Sequence, residues 1–207
     1  GKWPQSRQAA GRLNFSNTPV ERRCPSMSHR LFIGICPPSA IRDALIDLME
    51  GVDDARWQDE NQLHLTLRFI GEVDTHRADD LAERLRMAIG ADFALTIRGV
   101  GVFEKKGRVH TLWAGIEKTP ELLRLQRRIE RICIAAGLEP EHRKYHPHIT
   151  LARCNLATGP LEPFLARNAG LRLGPWKAEA YILYEAFLRP EGSVYEPVVR
   201  YPFEPGP

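Results

Sequence analysis

The sequence predicts an α+β fold in which two similar lobes are built from antiparallel strands and helices. Strand-like and helix-like segments alternate irregularly, and several strands follow one another directly as hairpins. That order is typical of α+β domains, whereas a doubly wound parallel sheet requires regular alternation of strands and helices. One pattern, His-apolar-Thr-Leu, also occurs twice, at 64–67 and 148–151, which are 84 residues apart. Such internal repetition indicates two related halves.

The first half of the chain predicts three strands and two helices. Its first strand is a short apolar run that two prolines end, and its last strand alternates apolar residues with His64, Thr66 and Arg68. The strands are expected at 31–36, 56–57 and 62–70, and the helices at 39–50 and from 74 or 75 onward.

The second half predicts six strands and two helices. Apolar residues at helical spacing, followed by Gly137, indicate its longer helix. The turn at 105–107 joins two of its strands. The strands are expected at 93–97, 99–103, 109–116, 148–154, 179–188 and 193–203, and the helices at 119–136 and 161–168.

The positive charge of the chain is concentrated at its N-terminus. The 207 residues carry a net charge of +3, but residues 1–26 hold five basic residues and one acidic residue, so the remainder is near neutral. Whole-chain charge therefore says little about partners. We interpret residues 1–26 as an N-terminal extension, artificial or disordered, and 27–207 as a single domain. The alternative is an arm that packs on the domain through Trp3, Leu13 and Phe15.

Hydropathy and cysteine spacing narrow the expected cellular location of the protein. No uncharged apolar run approaches the ~18 residues of a membrane span, and the N-terminus lacks the apolar core of a secretory signal. The four cysteines show no CxxC spacing, so neither a structural zinc site nor a disulfide framework is indicated. We therefore expect a protein of the reducing cytoplasm without a membrane partner.

The repeated tetrads carry residue types that suit chemistry at phosphorus. Side chains two apart on a strand share a face, so each tetrad presents its histidine and its threonine together. If a pseudo-twofold axis relates the halves, these four residues meet in one cleft: His64, Thr66, His148 and Thr150. Two histidines titrating near neutral pH can divide the roles of base and acid. Two hydroxyls can donate to the phosphate oxygens, and no metal is required.

Two other interpretations of these histidines stay open. Both can be structural strand residues beside threonines, which favour strands. Alternatively, His142, His146 and His148 form a candidate zinc site, although no HExxH-type carboxylate spacing accompanies them.

With their flanking segments, the tetrads resemble the two-histidine (2H) phosphoesterase superfamily. Within it, the bacterial RNA 2′,3′-cyclic phosphodiesterases, also called 2′-5′ RNA ligases, are the most similar group. The resemblance spans roughly residues 30–203 and is carried by RLFIGI at 30–35, HLTLRFIGEV at 64–73, GRVHTLWAGI at 107–116 and HPHITLAR at 146–153. It implies a bilobal pseudo-twofold fold in which two antiparallel sheets line a central groove, with helices outside.

The resemblance also implies a reaction and its residues. An RNA terminal 2′,3′-cyclic phosphate is hydrolysed to a 2′-phosphomonoester without cofactor or metal, and the reverse reaction joins a 5′-hydroxyl to the cyclic phosphate. On this pattern His64 protonates the departing 3′ oxygen, His148 activates water, and Thr66 and Thr150 hold the phosphate. The expected partners of this monomer are RNA ends or small nucleotides with a cyclic phosphate. An RNA-end-binding module with little catalysis is the alternative.

Six further residues are candidates for substrate binding. Arg68 shares the face of His64 by alternation, and either meets phosphate or points outward. Arg153 matches a family arginine, but alternation places it opposite His148 unless a bulge re-aims it. Phe32 either stacks on a nucleobase or belongs to the core. A basic turn supplies candidate contacts to the RNA backbone, with a solvated turn as the alternative: Lys105, Lys106 and Arg108.

Overall fold

Nine strands and four α-helices make up the part of the chain that the computed structural model describes, residues 28–189 and 192–206. The predicted extension at 1–26 lies outside these residues. The strands are β1 (Ser28–Ile35), β2 (Arg56–Trp57), β3 (Leu65–Asp74), β4 (Phe93–Lys105), β5 (Arg108–Ile116), β6 (His148–Arg153), β7 (Arg172–Ala178), β8 (Ala180–Arg189) and β9 (Gly192–Pro202). The helices are α1 (Ser39–Ile46), α2 (Thr75–Leu85), α3 (Pro120–Ala135) and α4 (Glu162–Arg167). None of these helices is long and apolar enough to cross a membrane.

The strands form one continuous antiparallel sheet with two four-stranded halves. Their order is β7-β4-β5-β6-β3-β1-β8-β9, and the short β2 pairs with the end of β6. Within the described residues, β3 and β6 are joined through one residue pair, Leu65 with Ile149. The two predicted sheets are therefore the halves of one sheet that meet at this pair.

The helices cover one face of the sheet, and the main core lies between them. Leu31 and Ile33 of β1 point into this core, whereas Phe32 between them belongs to a small separate cluster with Ile182 and Tyr184 on the other face. The helix-side core combines strand residues with the apolar stripes of α2 and α3, including Leu81, Leu85, Leu122, Leu125, Ile129 and Ile132. The uncovered face is therefore the one available for a site.

Side-chain caps fix where the two longest helices begin. The Asp74 carboxylate accepts a hydrogen bond of 2.9 Å from the backbone amide of Arg77, and Thr119 Oγ1 accepts one of 3.3 Å from Leu122. Pro120 follows Thr119 at the first helical position, where its missing amide hydrogen costs nothing. These starts agree with the sequence prediction.

Two strands differ from the prediction. The segments expected at 93–97 and 99–103 form one strand, β4, with a register shift at Gly99, whose φ of 69° suits glycine. The edge strand β7 was not predicted, because Gly174 and Pro175 interrupt its apolar pattern. An edge strand tolerates proline, since one of its sides has no partner strand.

Two buried tyrosines tie the outer strands to α2. The rings of Tyr181 on β8 and Tyr201 on β9 stack with centroids 4.8 Å apart. Tyr201 donates a hydrogen bond of 2.7 Å to the carbonyl of Ala82, and Tyr181 donates to the carbonyl of Leu85. These bonds fix the C-terminal end of α2 against β8 and β9.

We expect Tyr201→Phe to lower the free energy of unfolding by about 1 kcal/mol, because it removes one buried hydrogen bond without creating a cavity. Urea denaturation monitored by circular dichroism measures this change. A variant as stable as the parent protein would show that the hydroxyl does not anchor α2.

Candidate active site

The two tetrads lie where the halves of the sheet meet. Leu65 pairs with Ile149, and the antiparallel register set by this pair places His64 opposite Thr150 and Thr66 opposite His148. Leu65 and Ile149 are fully buried on the helix side. Alternation therefore turns the two histidines and two threonines to the uncovered face.

Each histidine is held by a backbone carbonyl two residues before it. His148 Nδ1 donates a hydrogen bond of 2.7 Å to the carbonyl of His146, and the His64 ring bonds the backbone of Gln62 in the same way. A carbonyl only accepts, so Nδ1 of His148 carries the proton in the neutral ring. Nε2 of His148 is then left as a free acceptor, as a general base requires.

Burial keeps both histidines neutral near pH 7. Burial lowers the pKa of His64 to about 4; its bond to the Gln62 carbonyl acts in the opposite direction, and the charges of His148 and Arg153 lower it. The pKa of His148 is also lowered, first by burial and then by the charges of His146 and Arg153, against the bond to the His146 carbonyl. The charge of Arg153 acts in the same direction on both histidines, so it lies on the same side of the sheet as the two tetrads.

Both tetrads are followed by a β-bulge at the same position. Leu67 is the extra residue between Thr66 and Arg68 in the register with β1, and Leu151 is the extra residue between Thr150 and Ala152 in the register with β5. A bulge shifts the alternation by one residue. The residue five positions after each histidine, Phe69 or Arg153, is thereby turned to the site face.

The bulge explains why Arg68 is not in the site, contrary to the alternation argument. Its Nε lies 2.6 Å from a carboxylate oxygen of Glu130 on α3, and another nitrogen donates to the carbonyl of Glu139. The Arg68 side chain is 9% exposed on the helix side. The prediction that Arg68 meets phosphate is therefore wrong, and the residue ties β3 to α3.

For Arg153 the bulge alternative holds. Arg153 donates a hydrogen bond of 3.0 Å to Thr111 Oγ1, and its charge lowers the pKa of both histidines. A second bulge, at His110 on β5, turns that histidine toward Thr111, and its Nδ1 lies 2.8 Å from Thr111 Oγ1. Of the two candidate arginines, Arg153 is therefore the one on the site face.

Phe32 braces His64 and does not present a stacking surface. It is 2% exposed, with its ring centroid 4.6 Å from that of His64 and 4.9 Å from those of Tyr184 and Tyr195. Gly34 lets β1 approach β3 closely here, because a Cβ there would lie 3.0 Å from the Leu65 carbonyl oxygen and 3.4 Å from the His64 ring. Of the two interpretations of Phe32, the structure supports the core residue.

Phe69 is the exposed aromatic side chain of this half. Its exposed fraction is 54%, and its ring centroid lies 6.0 Å from that of Phe32. Tyr195 is half-buried and meets the His64 ring edge-on, with centroids 5.1 Å apart. The sequence argument missed both, because Phe69 reaches the site through the bulge and Tyr195 arrives from β9.

A second aromatic group, which we call the aromatic shelf, consists of Phe103, Trp113 and His146 beside His148. The centroid of Trp113 lies 5.4 Å from Phe103 and 4.7 Å from His146, and that of Phe103 lies 4.8 Å from His148. Trp113 lies flat on Gly101, where a Cβ would approach its ring to 2.4 Å. Sequence reasoning missed this group, since its members come from three strands or loops.

The predicted basic turn lies at the tip of the β4–β5 hairpin. Lys106 and Gly107 form a two-residue turn with φ of 53° and 72°, and Lys105 pairs with Arg108 across it. All three cations are exposed, and none forms an ion pair within residues 28–189 and 192–206. The turn belongs to the same hairpin as Phe103 and Trp113, but the structure records no contact between it and the tetrads.

The three-histidine zinc alternative has no geometric support. In the described part of the chain, no group of three or more His, Cys, Asp or Glu side chains is arranged to hold a metal ion. The interpretation of His142, His146 and His148 as a common ligand set is therefore wrong.

Comparison with known proteins agrees with this geometry. Residues 37–176 match the family model of the 2′-5′ RNA ligase superfamily. The chain belongs to this superfamily. Among curated members, the RNA 2′,3′-cyclic phosphodiesterase of Aeropyrum pernix is 35% identical over 149 residues, which are 70% of this chain and 84% of that protein. The protein of the same name from Thermus thermophilus is 32% identical over 177 residues, 80% of this chain and 86% of that one.

Solved structures of the superfamily share the fold. Escherichia coli LigT complexed with 3′-AMP superposes with a TM-score of 0.69 at 23% identity, covering 86% of this chain and 99% of LigT. The Thermus thermophilus protein TT0787 superposes with a TM-score of 0.66 at 27% identity, covering 85% and 98%. The predicted family and fold class are confirmed.

The ion pair between Arg68 and Glu130 predicts an effect on stability. We expect Arg68→Met to lower the free energy of unfolding by about 2 kcal/mol, because it leaves the half-buried Glu130 without its partner. Catalytic turnover should change less than about twofold, since the side chain lies behind the sheet.

The double variant Arg68→Met/Glu130→Leu is the matched control, because it removes both charges and should recover most of the lost stability. Chemical denaturation and steady-state kinetics measure the two effects. A large loss of kcat/KM in Arg68→Met with unchanged stability would instead indicate that Arg68 contacts the phosphate.

Proposed function

We propose that this protein hydrolyses the 2′,3′-cyclic phosphate at RNA ends to a 2′-phosphomonoester, with its own side chains supplying the acid, the base and the phosphate ligands. The observation that carries the proposal is the register at Leu65 and Ile149, which puts each histidine opposite the threonine of the other tetrad on the uncovered face. The names of the curated relatives, RNA 2′,3′-cyclic phosphodiesterase, support the substrate class.

The proposed reaction is an in-line displacement at phosphorus. His148 Nε2 takes a proton from water, the water oxygen bonds to phosphorus, and the bond from phosphorus to O3′ breaks. His64 donates the proton that O3′ requires. Both rings are held by a backbone carbonyl, so the assignment of His148 as base follows the family resemblance; the ring of His148 is also less deeply enclosed than that of His64, as access of water requires.

The phosphate ligands follow from position and chemistry. Thr66 and Thr150 are half-buried, and within the described residues no hydrogen bond occupies either hydroxyl. Both hydroxyls are therefore available to donate to non-bridging oxygens. Arg153, held by Thr111, adds a full positive charge where the phosphate carries negative charge.

The substrate itself brings His64 into its acid state. In the free protein His64 is neutral, because burial lowers its pKa to about 4. An anionic phosphate beside the ring favours the charged form and raises the pKa. His64 then takes up a proton when substrate binds and can donate it to O3′.

Aromatic side chains in the half that contains His64 fit the nucleoside that carries the cyclic phosphate. Phe69 is exposed, and the half-buried Tyr195 stands edge-on to the ring of His64. Stacking of a base on such a ring is sequence-tolerant. We therefore expect the protein to require a terminal cyclic phosphate and to show no strong base preference. Such a specificity would suit the processing of varied RNA ends in the cytoplasm.

Substitution of either histidine should abolish turnover in a folded protein. We expect His64→Ala and His148→Ala each to lower kcat on a 2′,3′-cyclic phosphate by about 10³-fold, since each removes one proton-transfer step. His76→Ala, on the exposed surface of α2, is the matched control and should act as the parent protein. Product analysis by chromatography measures turnover.

Treatment with EDTA belongs to the same experiment. Full activity after chelation is expected, and activity that is lost and then restored by zinc would contradict the proposed mechanism. Parent activity in His148→Ala would contradict the role of that residue.

Anion binding should strengthen as the pH falls. A bound anion raises the pKa values of His64 and His148, so the complex binds more protons than the free protein, and affinity must increase below neutral pH. Sulfate is a suitable probe, because its charge is constant between about pH 5 and 8. Calorimetry in two buffers of different ionisation enthalpy should show proton uptake.

The variant His64→Asn should lose part of this pH dependence, whereas the exposed control His76→Asn should retain it. Sulfate affinity that is constant across this range in the parent protein would show that the anion does not bind beside the histidines.

A further inference from the structure

The backbone holds the two histidines of the proposed reaction to different degrees. His148 is the first residue of β6, where it pairs with Gly115 of β5. The carbonyl of Pro147 before it also accepts a hydrogen bond of 3.0 Å from the amide of Ile116. His64, by contrast, lies one residue before β3, outside the ladder that joins this strand to β1. The position of His64 therefore depends on the segment that precedes it.

That segment is a single 3₁₀ turn, Glu60–Gln62, which a reciprocal pair of side-chain bonds closes. The Asp59 carboxylate accepts hydrogen bonds of 2.8 and 3.1 Å from the backbone amides of Asn61 and Gln62. In return, Gln62 Oε1 accepts a bond of 3.1 Å from the backbone amide of Asp59. This capping box fixes the turn as a unit. The carbonyl that bonds the His64 ring belongs to the last residue of the turn, Gln62.

The other end of the Gln62 amide attaches the turn to β9. Gln62 Nε2 donates a hydrogen bond of 2.6 Å to the carbonyl of Ser193. Gly192 permits this close approach, because its φ of 150° is one that other residues avoid. A Cβ on Gly192 would also lie 2.7 Å from Arg56 Nη2 and 3.5 Å from Gln62 Nε2. Both ends of the Gln62 amide are thus bound to backbone groups, one of them 131 residues away in the chain.

The same stretch of β9 also packs against the His64 ring. Tyr195, two residues after Ser193, stands edge-on to that ring with centroids 5.1 Å apart. Phe32 on β1 lies against the ring as well, at 4.6 Å. One short part of an edge strand therefore contacts both the imidazole and the turn whose carbonyl binds it.

We infer that Gln62 is a positioning residue for His64, whose side-chain amide holds the carbonyl that aims the imidazole at the departing O3′. This inference rests on the proposed function, in which His64 protonates O3′. A protonated imidazole has two N–H groups, and the one bound to the Gln62 carbonyl determines where the other points. Burial lowers the pKa of His64, and the bond to this carbonyl acts in the opposite direction. A fixed carbonyl therefore supports both the direction and the protonation of the acid.

The variant Gln62→Met removes both bonds of the amide and keeps the length of the side chain. We expect its kcat on adenosine 2′,3′-cyclic phosphate to fall about tenfold, because a small displacement of a catalytic group is costly. KM should stay within about twofold of the parent value, since the amide bonds the protein backbone. Asn61→Ala, at an exposed position of the same turn, is the matched control and should leave both constants unchanged.

The variant Gln62→Glu isolates the bond to Ser193. A glutamate preserves the capping box, but its ionised carboxylate cannot donate to the Ser193 carbonyl and is repelled by it. Once protonated, the carboxyl donates again. We therefore expect the ratio of variant to parent kcat to be lowest near about pH 8 and to rise as the pH falls toward about 5. The same ratio for Asn61→Ala should be constant.

Nitrogen-15 NMR of the histidine rings gives a readout that a merely structural role would not move. The bond to the Gln62 carbonyl selects one tautomer of neutral His64. In Gln62→Met the ring nitrogens of His64 should shift toward the values of a tautomer mixture. Those of His148, held by the carbonyl of His146, should not change. Circular dichroism checks that each variant is folded.

Parent kcat in Gln62→Met, or a lower kcat with an unchanged His64 tautomer, would overturn the inference. A ratio for Gln62→Glu that does not vary with pH would overturn it as well, because the bond to Ser193 would then not hold the carbonyl. Each of these results leaves the proposed function standing, since the parent protein is active. A parent protein without activity on the cyclic nucleotide would instead contradict the proposed function itself.

Discussion

The pairing of Leu65 with Ile149 is the constraint on which the site depends. It is the residue pair through which the two halves of the sheet are joined in the described structure, and both side chains are buried beneath the sheet. A shift of either strand by one residue would turn the histidine and threonine of its tetrad into the core. Burial of two apolar side chains therefore fixes the relative position of four polar ones. The sheet is narrow at this junction, since β2 replaces β3 as the partner of β6 after one pair, and the strands are free to diverge around the site.

The bulges at Leu67 and Leu151 make the two halves alike in backbone and different in chemistry. Each bulge turns the residue five positions after the histidine to the site face. In one half that residue is Phe69, paired with Phe32; in the other it is Arg153, paired with Thr111. One half therefore offers ring surface at the position where the other offers a charge. A phosphate with a nucleoside attached has the same asymmetry, so a nearly symmetric fold can bind an asymmetric substrate in one orientation.

The sequence predicted what depends on local periodicity and missed what depends on the partner strand. Alternation located His64, Thr66, His148 and Thr150, and capping residues located the starts of α2 and α3. The same alternation failed at Arg68, because whether Leu67 adds a residue to the register is decided by pairing with β1. It left Arg153 open for the same reason. The aromatic shelf was invisible, since Phe103, Trp113 and His146 are adjacent only after β4, β5 and the loop before β6 come together.

In this nearly neutral domain, protonation of the two site histidines depends on whether an anion is bound. The chain from residue 27 onward is nearly neutral overall, and burial keeps both histidines uncharged near neutral pH. The charge of Arg153 opposes protonation of the histidines, and under the proposed function it is also the positive charge that meets an approaching phosphate. A phosphate that binds Arg153 offsets this repulsion, and the histidine pKa values rise only when the anion is in place. Under the proposed function, the acid required for cleavage of the bond to O3′ is therefore formed by the substrate that contains this bond.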